Sequence, residues 1–108
     1  MKIVRRISAI LLCTFAVPCA CAQQPAASVY KTNCAPCHGV VGDANTPAGK
    51  VFKVPSFSSE AVLKEPDDSL LTVEENGKGK MPAWHDKLSE GQLKDLIAFI
   101  HTLQKKTQ

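Results

Sequence analysis

The sequence is poor in aromatic residues and in strand-like patterning. Phe, Trp and Tyr make up 6% of its 108 residues, with a single Trp and a single Tyr. No segment alternates between apolar and polar residues, which argues against a sheet. The length has room for one domain. A core this small often depends on a cofactor, a metal or a disulfide for its stability, so we looked for residues that could supply one.

The chain also lacks a basic excess outside its N-terminus. The net charge of +3 is carried by Lys2, Arg5 and Arg6, and the ten other basic residues balance ten acidic residues. Nucleic-acid binding depends on a basic surface. We therefore expect no nucleic-acid partner.

The first 22 residues have the pattern of a secretory signal peptide. The basic residues precede an apolar run at 7–17 that is too short to span a bilayer, and small residues follow at 20–22. This pattern predicts cleavage after Ala22, leaving residues 23–108 as an exported, periplasmic domain without a transmembrane segment.

Cleavage would also remove most of the cysteines. Of the five, Cys13, Cys19 and Cys21 lie in the leader, so only Cys34 and Cys37 remain. An alternative is a lipoprotein anchored at the membrane surface through Cys19 or Cys21. The residues before Cys21 match the usual lipobox poorly.

Residues 34–38, Cys-Ala-Pro-Cys-His, form a C-x-x-C-H motif, which is typical of c-type haem attachment. Two thiols form thioethers with the porphyrin vinyl groups, and the imidazole that follows reaches the iron. Residues three and four apart lie on the same side of a helical turn. The motif therefore predicts one covalent haem c, held by Cys34, Cys37 and His38.

Two other chemistries use the same residue types. A dithiol redox centre places C-x-x-C at a helix start within a βαβ unit, and no strands are evident. A structural zinc site needs four ligands, and there is no second cysteine pair outside the leader. Both interpretations are weaker than haem attachment.

Met81 is the predicted second axial ligand. It is the only methionine besides Met1, and the polar, glycine-rich residues 77–80 suit a loop that presents a side chain better than one that buries it. His85 and His101 are the competing ligands and would give a bis-histidine iron. Each is more often a solvated side chain.

Local signals predict helices at both ends of the domain. Residues 26–33 suit a short helix with Val29 and Tyr30 on its buried side, ended by Pro36 and Gly39. The last helix begins with a capping box of Ser89 and Gln92 and a hydrophobic staple. Its predicted buried residues recur at helical spacing: Leu93, Leu96, Ile97 and Ile100.

The middle of the chain contains a second set of signals. A helix is predicted to begin after Pro66 and to end before Gly77, with Leu70, Leu71 and Val73 buried. Residues 58–64 suit one or two helical turns, and residues 42–53 are predicted to be a surface loop. The sequence thus predicts a small all-α domain of three or four helices.

Residues 26–103 resemble the class I cytochromes c, in particular small bacterial periplasmic members related to the oxidase-associated type. Tyr30 stands four residues before Cys34, as an aromatic does in that family. Residues 95–99 resemble its C-terminal helix motif, and residues 77–84 resemble its methionine loop.

The resemblance implies a cytochrome c fold, with helices wrapped around the haem and Tyr30 packed near Phe99 where the first and last helices cross. Ala26 replaces a glycine common in the family at that contact, which implies a slightly wider crossing. A loop proline, either Pro47 or Pro55, is expected to accept a hydrogen bond from the proximal imidazole.

The expected function is one-electron transfer between redox protein partners by a monomeric, non-enzymatic carrier with His38 and Met81 on the iron. Trp84 is expected either to cover the haem or to be an ordinary core aromatic. The alternatives are a haem subunit bound permanently to a dehydrogenase or oxidase, and a haem that binds a gas or peroxide. Lys78, Lys80 and Lys87 are candidates for docking an acidic partner, although Glu74, Glu75 and Asp86 lie among them.

Overall fold

The computed structural model describes residues 23–107, so the predictions for the leader lie outside the described residues. Within that range the chain forms six helices, and its only strand-like feature is an isolated bridge between Lys78 and Met81. The helices are α1 Ala26–Asn33, α2 Ala35–His38, α3 Pro47–Val51, α4 Glu60–Leu63, α5 Asp67–Asn76 and α6 Glu90–Lys106. The all-α prediction is confirmed, with three longer helices and three short ones.

The core lies between the first and last helices. Val29 and Tyr30 of α1 are buried, as predicted, against α6. The predicted stripe of α6 is buried as well, and the capping box of Ser89 and Gln92 is present at its start. Ala26 is partly buried and packs against this core. The ring centroids of Tyr30 and Phe99 lie 5.2 Å apart, which confirms the expected packing of these aromatics.

The start of the domain differs from prediction at Pro36. We expected Pro36 to help end α1, but the chain continues as α2 after one residue, Cys34. Pro36 lies in the first turn of α2, where backbone N–H groups have no partner within the helix, so the N–H that proline lacks is not needed. Gly39 ends α2 with a φ of +81°, as its position predicted.

The prediction of an unbroken loop at 42–53 is wrong, because α3 lies within it. Thr46 caps α3 by accepting a hydrogen bond of 2.8 Å from the Gly49 N–H, and Pro47 occupies the first helical position. The Thr46 hydroxyl also donates to the carbonyl of Cys37 at 2.8 Å. Caps of this kind stabilise a single helical turn without any apolar periodicity.

Helix α5 begins after Pro66 and ends at Gly77, whose φ is +73°, as predicted. The residues expected on its buried side are only half-buried. Leu71 packs against the core, whereas Leu70 and Val73 line a cavity. The burial of α5 is therefore incomplete where it borders the cavity.

No helix among residues 23–107 has the length and apolar character needed to cross a membrane.

Candidate haem site

A cavity of about 510 Å³ lies between the α1–α2 segment on one side and α5 with the loop after it on the other. Its walls are mainly apolar and include Leu70, Val73, Leu93, Leu96 and Ile100. Cofactor sites are typically cavities of about 300–1,000 Å³ with apolar walls and a few polar groups. This cavity has the size and the character of such a site.

The four predicted site residues all line this one cavity. Cys34, Cys37 and His38 form part of the wall at the α1–α2 segment, and Met81 forms part of the wall at the loop after α5. The 42 residues between His38 and Met81 include the short helices α3 and α4, so the meeting of these two residues depends on the tertiary fold.

The imidazole of His38 is held flat against a phenyl ring. His38 and Phe57 stack with ring centroids 4.6 Å apart and 16° between their planes. Phe57 is itself fixed through its backbone, since its N–H donates to Gly42 at 2.8 Å and its carbonyl accepts from the Gln104 side chain at 3.1 Å. The loop before α4 and the end of α6 therefore set the position of the Phe57 ring, and the stacking on this ring sets the orientation of the His38 imidazole.

Burial lowers the pKa of His38, which favours the neutral imidazole. A neutral imidazole is the form that binds a metal. Its Nδ1 is buried and has no hydrogen-bond partner, so the expected bond to a proline carbonyl is not made. Of the two candidates, Pro55 lines the cavity, whereas Pro47 begins α3 and lies outside the cavity wall.

The thiol of Cys34 is in an environment that disfavours its thiolate. Burial, followed by the charges of Glu74 and Cys37, raises its pKa to about 11. The attacking cysteine of a dithiol oxidoreductase has a lowered pKa. The electrostatics of the site thus argue against the dithiol redox alternative.

The loop that presents Met81 is braced by its own backbone. The N–H of Lys78 donates to the Met81 carbonyl at 3.1 Å, and the Met81 N–H donates back at 2.9 Å. The N–H of Trp84 then donates to the Glu74 carbonyl at 3.0 Å, which fastens the far side of the loop to α5. This bracing positions Met81 at the cavity wall.

The competing histidines do not line the cavity. Nδ1 of His85 lies 2.7 Å from the Glu75 carbonyl oxygen, and its Nε2 lies 3.1 Å from Asp86. His101 lies between Gln104 and Asp67 on the side of α6 that faces α5. Among the described residues, His38 is the one histidine at the cavity.

The sequence left open whether Trp84 borders the haem or belongs to the core, and its position in the structure is compatible with both. It lines the cavity and also packs against the core, with the ammonium of Lys87 5.0 Å from its ring centroid.

Glu74 is the cavity residue that sequence reasoning misplaced. We counted it among the surface charges, but its side chain is buried, with 7% of the residue exposed, and lines the cavity. Burial, then the charge of Glu75, raises its pKa to about 8. Glu74 follows Leu70 by four residues, and residues at that spacing share a helix face. This spacing places Glu74 on the same face of α5 as Leu70, and it could have predicted from the sequence that Glu74 is buried.

A helical domain with these side chains around an apolar cavity is a c-type cytochrome domain. The chain belongs to the family described as cytochrome c oxidase, cbb3-type, subunit III, which its residues 22–100 match. It is a class I monohaem cytochrome c, as the motif residues indicated, and its cofactor is covalently bound haem c.

The relatives fall into two groups. Cytochrome c6 of Euglena gracilis is 35% identical over 82 residues, covering 70% of this chain and 86% of that protein. Cytochrome c6 of Bryopsis maxima is 33% identical over 79 residues, covering 68% and 83%. The CcoP subunit of the cbb3-type oxidase of Azospirillum brasilense is 30% identical over 86 residues, and the chain spans only 29% of its length.

Among solved structures, the c-type cytochrome KustC0563 has the same fold. Its TM-score is 0.67 at 22% identity, and the match covers 73% of this chain and 96% of that one.

The residues at the cavity fit a haem. The wall combines a large apolar surface with a half-buried imidazole whose pKa is lowered by burial, and with two thiols three residues apart on one helical turn. The unpartnered Nδ1 of His38 leaves room for a second bond that would orient the ring toward a metal.

Proposed function

We propose that the protein is an exported one-electron carrier whose haem is attached to Cys34 and Cys37 and ligated by His38 and Met81. The observation that carries this proposal is that these four side chains line one cavity, while His85 and His101 lie elsewhere with other partners. When bound, the haem supplies the chemistry by cycling between Fe(II) and Fe(III). The protein's residues set how readily it does so.

Each residue has a distinct task in this proposal. His38 binds the iron as a neutral imidazole, kept in orientation by the ring of Phe57. The soft thioether of Met81 favours Fe(II) and thereby raises the potential. The apolar walls act in the same direction because they disfavour the more highly charged oxidised iron.

We further propose that the carbonyl of Pro55 accepts a hydrogen bond from the Nδ1–H of His38 once the haem is in place. The location of Pro55 at the cavity, two residues before the ring that stacks on His38, supports this choice over Pro47. The bond would fix the tautomer that leaves Nε2 for the iron and would raise the basicity of the ligand.

Residues 1–22 are proposed to be a cleaved signal peptide and residues 23–108 the cytochrome domain, placed in the periplasm. A lipid anchor on Cys19 or Cys21 is the alternative, in which the same domain is held at a membrane surface. Mass spectrometry of the secreted protein distinguishes the two, because cleavage after Ala22 leaves an unmodified Gln23.

A second candidate function is that of a haem subunit held permanently in an oxidase. Its support is the match to the cbb3-type oxidase family and to the CcoP subunit. The free carrier is proposed to be a monomer, so size-exclusion chromatography of the native protein from its source separates the two. A gas- or peroxide-binding enzyme is disfavoured, because Met81 would have to leave the iron first.

The proposal is tested with Met81→Ala in protein matured by a haem-attaching host, with His85→Ala as the control. We expect Met81→Ala to lose the thioether signature in the spectrum, to bind carbon monoxide in the reduced state, and to lower the potential by on the order of 0.1 V, a fraction of the range of about 0.8 V that axial ligands span. His85→Ala should change none of these. A Met81→Ala protein with an unaltered ligand spectrum would exclude the His/Met iron.

A further inference from the structure

The cavity wall contains one carboxylic side chain that the proposed electron transfer does not use. Glu74 is 7% exposed and lines the cavity, and its Oε2 is buried without a hydrogen-bond partner. Burying a charged carboxylate oxygen without a hydrogen-bond partner is costly, which favours the protonated form of Glu74. The side chain is therefore a candidate for proton uptake inside the cavity.

The backbone of Glu74 is joined to the loop that presents Met81, because its carbonyl accepts the N–H of Trp84. The Glu74 side chain lines the same cavity as Cys34 and Met81. The charge of Glu74 contributes to the raised pKa of the Cys34 thiol. The carboxyl group therefore shares the cavity with a haem-attachment residue and the proposed methionine ligand.

We infer that Glu74 takes up one proton when the haem is reduced and releases it when the haem is oxidised, so that electron transfer by this protein is coupled to a buried carboxylate. The inference rests on the proposed function, because it needs the haem bound in this cavity. Reduction removes a positive charge from the iron, and the nearby carboxylate then becomes easier to protonate.

The step balances. One electron passes from the redox donor to the iron, and one proton passes from solvent to the Glu74 carboxylate, which becomes a carboxylic acid. Oxidation by the acceptor returns both. On reduction an O–H bond of the solvent donor breaks and the O–H bond of Glu74 forms, and oxidation reverses both changes.

Few other charges compete for this role. The titratable side chains that α1 and α2 bring to the cavity are Tyr30, Cys34, Cys37 and His38. The loops bring Lys53, Glu65, Lys78 and Lys80. The cavity-lining residues of α6 are apolar. Of these groups, Cys34 is the one whose pKa is raised by the charge of Glu74, and its thiol proton is lost permanently when the thioether forms.

Glu75 and the haem propionates also affect how the potential depends on pH. Burial, followed by the charge of Glu75, raises the pKa of Glu74 to about 8, so its titration falls in an accessible pH range. The haem propionates are the titratable groups that the cofactor itself brings. A variant of Glu74 leaves the propionates in place and therefore separates the two sources.

The test is a series of potentiometric titrations of the haem-loaded protein between about pH 5 and about pH 10, a range that contains the titration of a buried carboxyl group. We expect the midpoint potential to fall as pH rises, because reduction consumes a proton. One pH unit can change the reduction equilibrium by at most tenfold, which corresponds to ~59 mV for one electron. Glu74 has one pKa in the oxidised protein and a higher one in the reduced protein. The potential should depend on pH between these two values and be constant below the first and above the second.

The variant is Glu74→Gln, and the matched control is Glu75→Gln, which removes the same charge from the next residue. Glu74→Gln should remove the part of the slope that Glu74 contributes and leave only the contribution of the haem propionates. Glu75→Gln should keep the Glu74 slope and move it to lower pH, since a charge that raises the Glu74 pKa is gone. A flat potential in the wild-type protein, or an unchanged slope in Glu74→Gln, overturns the inference.

A second measurement does not depend on the variant folding. The infrared difference spectrum between reduced and oxidised wild-type protein should contain a carboxylic-acid C=O band that appears on reduction and shifts when glutamate is labelled with carbon-13. Absence of a label-sensitive band overturns the inference. If the c-type spectrum and the methionine ligation are intact in the same sample, that failure concerns Glu74 alone and leaves the electron-carrier proposal standing.

Discussion

The hydroxyl of Tyr30 donates a hydrogen bond of 2.7 Å to the carbonyl oxygen of Gly39. This bond joins α1 to the residue that ends the haem-attachment turn, immediately after His38. The ring of Tyr30 also packs on Phe99 of α6. A single buried side chain therefore connects the attachment turn to the packing of the first and last helices.

Tyr30→Phe should lower the free energy of unfolding of the haem-loaded protein by about 1–3 kcal/mol, because the buried Gly39 carbonyl loses its side-chain donor. The phenyl ring still packs on Phe99, so the change isolates the hydrogen bond. Urea unfolding followed by circular dichroism measures it. Equal stabilities would mean that the carbonyl finds another donor.

The two glycines of the methionine loop provide a matched pair of substitutions. Both have a positive φ, +73° at Gly77 and +59° at Gly79. A Cβ on Gly79 would meet nothing within 4 Å, whereas one on Gly77 would lie 2.5 Å from the Met81 carbonyl oxygen and 2.9 Å from the Ala83 nitrogen.

Gly79→Ala should therefore cost only the left-handed backbone conformation, about 1–2 kcal/mol, and should keep Met81 on the iron. Gly77→Ala should cost more and should displace Met81, which is seen as a loss of the iron–thioether absorption of the oxidised protein. If both variants keep that absorption equally, the close packing of Gly77 against the loop is not what positions Met81.

His101 connects α6 to α5 in a pH-dependent way. Its Nδ1 lies 2.7 Å from Gln104 and its Nε2 lies 2.8 Å from Asp67, and these two hydrogen bonds raise the pKa of His101. A raised folded-state pKa stabilises the fold fully below the unfolded value of about 6.5, and this stabilisation is lost as pH rises through the folded pKa.

Asp67→Asn should therefore destabilise the protein at about pH 5.5 and have almost no effect at about pH 8.5. The pair is exposed, so we expect a loss of less than about 1 kcal/mol. Asp68→Asn is the control, since it removes a charge from the same first turn of α5 without touching His101. The hypothesis fails if both variants have the same pH dependence.

The lysines beside Met81 predict a salt-dependent encounter with anionic redox partners. Lys78 and Lys80 are exposed at the cavity rim, and Glu74, which the sequence placed among them as an opposing charge, is buried. The rim is therefore more positive than the sequence order suggests.

Oxidation of the reduced protein by hexacyanoferrate(III) should slow with added salt, and the double variant Lys78→Glu, Lys80→Glu should slow it on the order of tenfold at low salt. A cationic hexaammine complex should respond in the opposite sense. The double variant Lys105→Glu, Lys106→Glu serves as the control, because it makes the same change in charge at two exposed residues that do not line the cavity. Equal rates for the wild-type and double-variant proteins would remove the lysines from docking.

Much of the fold followed from local signals. The bounds of α1, the start and end of α5 and the capping box of α6 were predicted because caps, proline and glycine act over a few residues. Helix α3 was missed because residues 42–53 have no apolar periodicity. The local signal for this helix is the N-cap Thr46 followed by Pro47, and it was overlooked.

The haem-attachment motif at Cys34, Cys37 and His38 was legible in the sequence because its chemistry is confined to one helical turn. Met81 was predicted to be a ligand by scarcity, as the only methionine besides Met1, and the fold brings it to the cavity wall. Three matters needed the tertiary fold: which histidines stay away from the cavity, which proline lines the cavity, and that Glu74 is buried. Each depends on how α5, α6 and the loops between them pack around the cavity, and burial of this kind arises from contacts between residues far apart in the chain.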